Sequence, residues 1–209
     1  MKYQSNQIYH MYNQGNNRQP IFFEDANYHY FLQKVKKYLL PVADILCYCL
    51  MPNHFHFLLV PNEEAITPGK LIKPRQMVLE LQGTEALPFV LYERQQKISQ
   101  AVGELLSSYT KAINKRYERS GSLFRSKTKI KDGAIEDVVA LNGPYRELFF
   151  RADNDYARQC FEYIHANPVK ANLVASPVEW PYSSAKDFAH KRPGYICNQK
   201  LARKLLELS

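Results

Sequence analysis

The stretch "QIYHMYNQG" alternates apolar and polar positions and stops at Gly15, which predicts a strand from about Gln7 to Asn13. "GNNRQPIFF" follows as a turn-rich loop carrying Arg18. Tyr30, Phe31, Val35, Tyr38 and Leu39 then recur at helical spacing, with Asp25 as the expected cap and Pro41 as the stop. Two apolar runs, "DILCYCLM" and "HFHFLLV", flank Pro52-Asn53 and predict an antiparallel hairpin. From about Gln96, a stripe of Ile98, Val102, Leu105, Leu106, Tyr109, Ile113 and Tyr117 marks a second long helix ending at Gly121. "SLFRSKTKIK" alternates again as a fourth strand, and "DNDYARQCFEYIHA" reads as a helix closed by Asn167-Pro168. Trp180, in the aromatic turn "VEWPYSSAKDF", is expected to anchor the core, and a short basic helix is expected from Asn198.

The order strand, helix, hairpin, helix, strand, helix predicts an α+β fold with helices packed on an antiparallel sheet. A ferredoxin-like arrangement is its simplest form. Residues 1–209 read as a single domain, with weakly patterned insertions at about 61–95 and 132–152 and a short tail from about 190.

The anomaly in this pattern is "HFHFLLV". Alternate side chains on a strand share a face, so His54, His56 and Leu58 point one way and Phe55, Phe57 and Leu59 the other. The second set can pack against helices. The first puts two imidazoles at a strand start beside a turn, where solvent and substrate are expected to reach them. Neutral imidazole is the commonest side-chain metal ligand, and two on one face leave other positions of an ion open. On the spacing alone, a pair of hydrogen-bonded histidines at a strand end is the plainer reading. In "EYIHANPVKANLV", Tyr163 and Asn167 are four residues apart, on one helix face if the helix reaches Asn167. A phenol can act as a covalent nucleophile and an amide oxygen can bind Mg²⁺ or Mn²⁺. A packed aromatic and a helix C-cap are the plain alternatives.

Composition narrows the partner. A formal net charge of +8 favours a polyanion, nucleic acid first. Basic residues concentrate in "TKAINKRYERSGSLFRSKTKIK", where Lys111, Lys115, Arg116, Arg119, Arg125, Lys127, Lys129 and Lys131 meet one acidic residue, Glu118. Interleaved with Tyr117 and Phe124, they suit a single strand, charge on phosphates and rings on bases; a solvated helix and a lysine-guarded edge strand are the alternative. Arg18 is a further phosphate candidate. No apolar run is long enough to span a membrane, no leader-like segment opens the chain, and four cysteines lack paired spacing. The expected setting is cytoplasmic, near the nucleoid.

Taken together, "YHMYNQGNNRQPIFF", "CYCLMPNHFHFLLV", "SYTKAINKRYERSGSLFRSKTKIK", "EYIHANPVKANLV" and "EWPYSS" resemble the single-tyrosine transposases of the HUH superfamily, close to the REP-associated tyrosine transposases. The quoted motifs make up about a third of the chain's residues and run in the family's order from Tyr9 to Ser184. The resemblance implies a ferredoxin-like, RRM-like core with the two histidines on a central strand. It implies Mg²⁺ or Mn²⁺ held by His54, His56 and Asn167, with Tyr163 as nucleophile. Such enzymes cut and rejoin single-stranded DNA near hairpins through a 5′-phosphotyrosine, some as dimers that exchange the tyrosine helix and others as monomers. A transposase-derived protein that binds nucleic acid without cutting it is the main alternative, and a hydrolase using water would leave Tyr163 without a task.

Overall fold

The structure is a computed structural model describing residues 2–71, 75–79, 87–91, 94–132 and 155–208. A first strand, β1 (Tyr9–Gln14), leads through a 3-10 turn at Asn16–Arg18 into α1 (Asp25–Tyr38). The hairpin β2 (Ala43–Met51) and β3 (His54–Pro61) follows, then the short α2 (Glu63–Ile66). Within the weakly patterned stretch lie β4 (Pro68–Leu71), β5 (Arg75–Leu79), β6 (Leu87–Leu91) and β7 (Arg94–Gln96), paired as two ribbons, β4 with β7 and β5 with β6. The long α3 (Lys97–Arg116), β8 (Lys129–Asp132), α4 (Asp155–Lys170), α5 (Ala185–Phe188) and α6 (Gln199–Leu206) complete the chain.

The main sheet has the order β2-β3-β1-β8, all antiparallel. With α1 and α3 as crossovers, this is the expected ferredoxin-like plan. Alternation divides the sheet's side chains between two cores. Tyr9, Met11, Tyr48, Leu50, Phe55, Phe57 and Leu59 pack with Phe31 and Val35 of α1 and Ile98, Leu105, Tyr109 and Ile113 of α3. Cys47, Cys49, Met51, Leu58 and Val60 pack with Ala157, Cys160, Phe161 and Ile164 of α4 and Ala202 and Leu206 of α6. A bulge in β2 between Ile45 and Cys47 adds Leu46 to the second core. The outer edge of β2 is covered by the C-terminal segment: Leu50 N–H donates to Tyr182 O, Ser184 N–H to Tyr48 O and Asn198 N–H to Ile45 O. Covering that row of backbone groups removes a site for stray strand pairing. Trp180 Nε1 donates to Leu50 O at 2.9 Å, the anchoring role expected of it.

Several element ends differ from expectation. Asp25 is the first residue of α1 and not its cap; Asn27 Oδ1, accepting from Phe23 N–H at 2.8 Å, holds the entering chain instead. α3 stops at Arg116, before Gly121, where the chain turns through left-handed Glu118 (φ 50°). Regular pairing in the fourth strand begins only at Lys129, although Phe124 already bridges Gly15. Pro168 does not close α4, which runs on to Lys170. A proline there cannot donate to the carbonyl four residues back. The exit from the helix is held by Ala171 N–H to Asn167 O at 3.0 Å and Leu173 N–H to Pro168 O at 2.9 Å. The expected insertion at 132–152 lies outside the described residues apart from its first position.

Candidate active site

His54 and His56 lie on β3, an inner strand, and α4 crosses the face they occupy. Register fixes their neighbours: Tyr12 of β1 and Cys49 of β2 sit opposite His56, and Gln14 and Met51 sit opposite His54. The two imidazole centroids are 5.0 Å apart. Tyr163, one turn from Asn167 on α4, has its ring 5.7 Å from that of His56 and 6.3 Å from that of His10. The helix therefore reaches Asn167, and the segments at 54–56 and 163–167 meet on one sheet face.

Asn167 links the two sides. Its Nδ2 donates to Tyr163 O at 2.8 Å, and its side chain makes polar contact with the His54 ring and with the Tyr163 phenol. It is buried in the body of the helix, not at a loosened end. His54 is accessible only in part and His56 is 5% exposed, so the histidines are more enclosed than their place at a strand start suggests. Burial pushes the His54 imidazolium down to about 4, against the small opposing effect of Asn167. His56 is held well below its ordinary value by burial and by His10 and His54 beside it. Both rings are thus neutral at pH 7, the form that ligates metal. Burial raises the Tyr163 phenol, which contact with Asn167 partly offsets.

Four neighbours of this site carry no signal in isolated motifs. His10 of β1 is buried, with Nε2 2.9 Å from His56 Nδ1. Tyr12 lies beside both rings, its centroid 5.6 Å from that of His56. Asn53, in the β2–β3 turn, sets Oδ1 2.6 Å from His54 Nδ1. Lys170 Nζ stands 4.7 Å from the Tyr163 ring centroid. The alternation of "YHMYNQ" places His10 and Tyr12 on one face, but only the antiparallel register brings that face to His56. His165 points away from the site and bonds Ser184 Oγ at 2.7 Å.

Among the described residues, no group of three or more His, Cys, Asp or Glu side chains is arranged to hold a metal ion. The donor set at this site is instead two imidazoles and an amide. His56 Nε2 is buried with no hydrogen-bond partner among the described residues, and Asn167 keeps Oδ1 as an acceptor while Nδ2 serves the backbone. An orphaned imidazole nitrogen, a second neutral imidazole and an amide oxygen are a donor set that fits an N/O-coordinated divalent cation.

The basic residues divide. Arg18, left-handed and exposed, is tied to the hairpin turn through Asn53 Nδ2, which donates to Arg18 O at 3.2 Å. Gly15 allows this loop to close: a Cβ there would lie 2.2 Å from Gln19 O. Arg125 N–H donates to Gln14 O at 2.9 Å, so exposed Arg125 and Lys127 start from the strand end that holds His54. Lys129, also exposed, pairs opposite Tyr12. Lys111 joins Arg125 along a groove of about 620 Å³ between α3 and residues 121–128. Exposed Lys115 and Arg116 lie at the end of α3, on the other side of the sheet from Tyr163. Arg116 pairs with Glu24 at 2.6 Å, and Arg119 donates to Gln19 Oε1 at 2.8 Å.

No protein-family model and no curated protein matches the chain. A solved structure does: a REP-associated tyrosine transposase bound to a REP hairpin, with TM-score 0.56 and 16% identity over 95% of this chain and 92% of that one. The fold here matches that of a REP-associated tyrosine transposase. The likeness of fold extends through nearly the whole chain, well beyond the quoted motifs. No described helix is long and apolar enough to cross a membrane.

Proposed function

We propose that this protein nicks and rejoins single-stranded DNA beside hairpins, with Tyr163 as nucleophile and a divalent cation, Mg²⁺ or Mn²⁺, held by His54, His56 and Asn167. The observation that carries the reading is the convergence of Tyr163 with two neutral histidines on one sheet face, its ring 5.7 Å from that of His56, with the Asn167 amide between Tyr163 and His54. The likeness to a transposase solved with a REP hairpin supports hairpin DNA as the substrate.

The Tyr163 phenolic oxygen attacks the scissile phosphorus and the bond to the 3′-oxygen breaks. The DNA 5′ end becomes a phosphotyrosine; the phenol proton is lost and the departing oxygen takes one up as a 3′-hydroxyl. The linkage conserves the energy of the cleaved phosphodiester, so attack by a 3′-hydroxyl reverses the step without ATP. When bound, the cation supplies charge to polarise and orient the phosphate. The chain's own residues do the rest. Asn167 fixes the phenol against the histidine face, and the Lys170 ammonium stabilises negative charge as the phenol ionises. Arg18, Arg125, Lys127 and Lys129 hold the strand's phosphates at that end of the sheet.

Incubation with hairpin-bearing single-stranded oligonucleotides and Mg²⁺ or Mn²⁺, followed by a denaturing gel, tests this. The expected result is a covalent protein–DNA band that vanishes in Tyr163→Phe and weakens in His54→Ala. Hairpin binding with no adduct supports instead the non-catalytic, transposase-derived binding protein. Cleavage surviving Tyr163→Phe supports a hydrolase.

A further inference from the structure

The two histidines are held alike, each by a neighbour at Nδ1. Asn53 Nδ2 donates to Arg18 O at 3.2 Å, which fixes the orientation of that amide and leaves Oδ1 facing His54 Nδ1 at 2.6 Å. An amide oxygen only accepts, so His54 Nδ1 carries the hydrogen and Nε2 carries the lone pair. The second contact, His10 Nε2 to His56 Nδ1 at 2.9 Å, can run in either direction by itself. The far side of the ring decides. His56 Nε2 is buried and meets no partner among the described residues. If His10 donated, neutral His56 would carry its hydrogen on Nε2, an N–H with no acceptor and no capacity to bind a cation. If His56 donates, Nε2 keeps a lone pair that a cation satisfies.

We propose that Asn53 and His10 are positioning residues, accepting the Nδ1–H of His54 and His56 so that both rings keep Nε2 unprotonated and free to bind a divalent cation. The assignment rests on the metal reading given above. An acceptor behind each ligating imidazole fixes ring orientation and raises ligand basicity. One acceptor comes from the hairpin turn and the other from the adjacent strand β1, so the site depends on both local turn geometry and strand register.

The decisive measurement is the tautomer of each ring in the metal-free wild-type protein, read at pH 7 by long-range ¹H–¹⁵N correlation NMR on histidine-labelled material. The expected spectrum has Nε2 unprotonated in both His54 and His56. A hydrogen on Nε2 of either ring overturns the assignment for its neighbour. The second measurement is Mn²⁺ affinity by calorimetry. Replacing the acceptors in His10→Phe and in Asn53→Leu is expected to weaken it about ten- to a hundredfold each. His10→Gln, which restores an acceptor oxygen, is expected to recover most of the loss. Wild-type affinity in both His10→Phe and Asn53→Leu overturns the positioning role. Wild-type protein that shows the expected tautomers yet binds no Mn²⁺ overturns the metal reading, since the tautomers are measured without metal.

Discussion

On the α1/α3 side of the sheet, β1 and β3 present Tyr9, Met11, Phe55, Phe57 and Leu59 to a continuous apolar core. On the α4 side, the intervening positions of the same strands present His10, Tyr12, His54, His56 and Leu58. The first face is packed from end to end, with Phe31, Tyr109 and Phe124 around Phe55. The second is apolar only at one end, where Leu58 meets Ile164 and Phe161; at the other, imidazoles, a phenol and an amide replace hydrocarbon. Period-two alternation lets the first face stabilise the strands while the second is free to carry buried polar groups. The cost is desolvation of the histidines, which the fold meets by holding them neutral and by pairing His56 with His10.

The same substitution on the two faces separates their roles most sharply. Tyr163→Phe removes only a phenolic oxygen from a half-buried ring, and adduct formation should fall about 10⁴-fold or more with stability within about 0.5 kcal/mol of wild type. Tyr109→Phe removes the hydroxyl that donates to Ile21 O at 2.7 Å beneath the opposite face. It should cost on the order of 1 kcal/mol in urea unfolding and leave adduct formation intact. Equal losses of activity in the two variants would mean that Tyr163 acts through packing.

Neighbours on one strand extend the comparison. Phe57→Ala opens a hole between α1 and the sheet and should cost about 3–5 kcal/mol of stability. His54→Ala, three residues earlier and facing α4, should cost far less stability yet strongly weaken Mn²⁺ binding by calorimetry.

Acid should damage only the histidine-bearing side. His165, on α4 and turned away from the site toward Ser184, is buried, and its imidazolium is pushed from an ordinary 6.5 down to about 4 by burial. Between those values the unfolded chain binds the proton and the folded one does not. The stabilising contribution is complete above pH 6.5 and is lost as pH falls toward 4, on the order of 3 kcal/mol for a shift of that size. His54 and His56 act in the same direction. The α1/α3 core holds no buried histidine among the described residues. Urea unfolding at pH 7 and at about pH 4.5 should show a smaller acid loss in His165→Gln than in wild type.

The contrast between faces also explains what the sequence makes legible. "HFHFLLV" reads correctly because strand alternation is local: Phe55 and Phe57 announce the core and His54 and His56 the exception. The stripe from Ile98 to Ile113 reads correctly for the same reason. His10 and Asn53 escape notice because their importance lies in register and turn geometry, contacts of long range or of a single side chain. Pro168 misleads: the rule that proline follows a helix is statistical, and here the helix continues through it. The basic run from Lys111 to Lys129 looks like one patch in sequence, but only Lys111 of its α3 part meets Arg125 along the groove, and the turn at Glu118 leaves Lys115 and Arg116 at the end of α3, apart from the stretch beside β1.

That last division gives the smallest expected effect. Arg125 begins at the strand end occupied by Gln14 and His54, whereas Lys115 projects from the end of α3 on the far side of the sheet. Each phosphate contact on a single strand contributes about 0.7 to the slope of log affinity against log salt. Arg125→Ala should therefore lower that slope by about 0.7 and weaken hairpin binding severalfold at moderate salt. Lys115→Ala should change neither, and salt titrations of fluorescence anisotropy with one hairpin oligonucleotide measure both. An equal change in slope for Lys115→Ala would extend the phosphate path along α3 beyond the groove that Lys111 and Arg125 line, and the DNA would then run past the end of that helix as well as the strand end that holds His54.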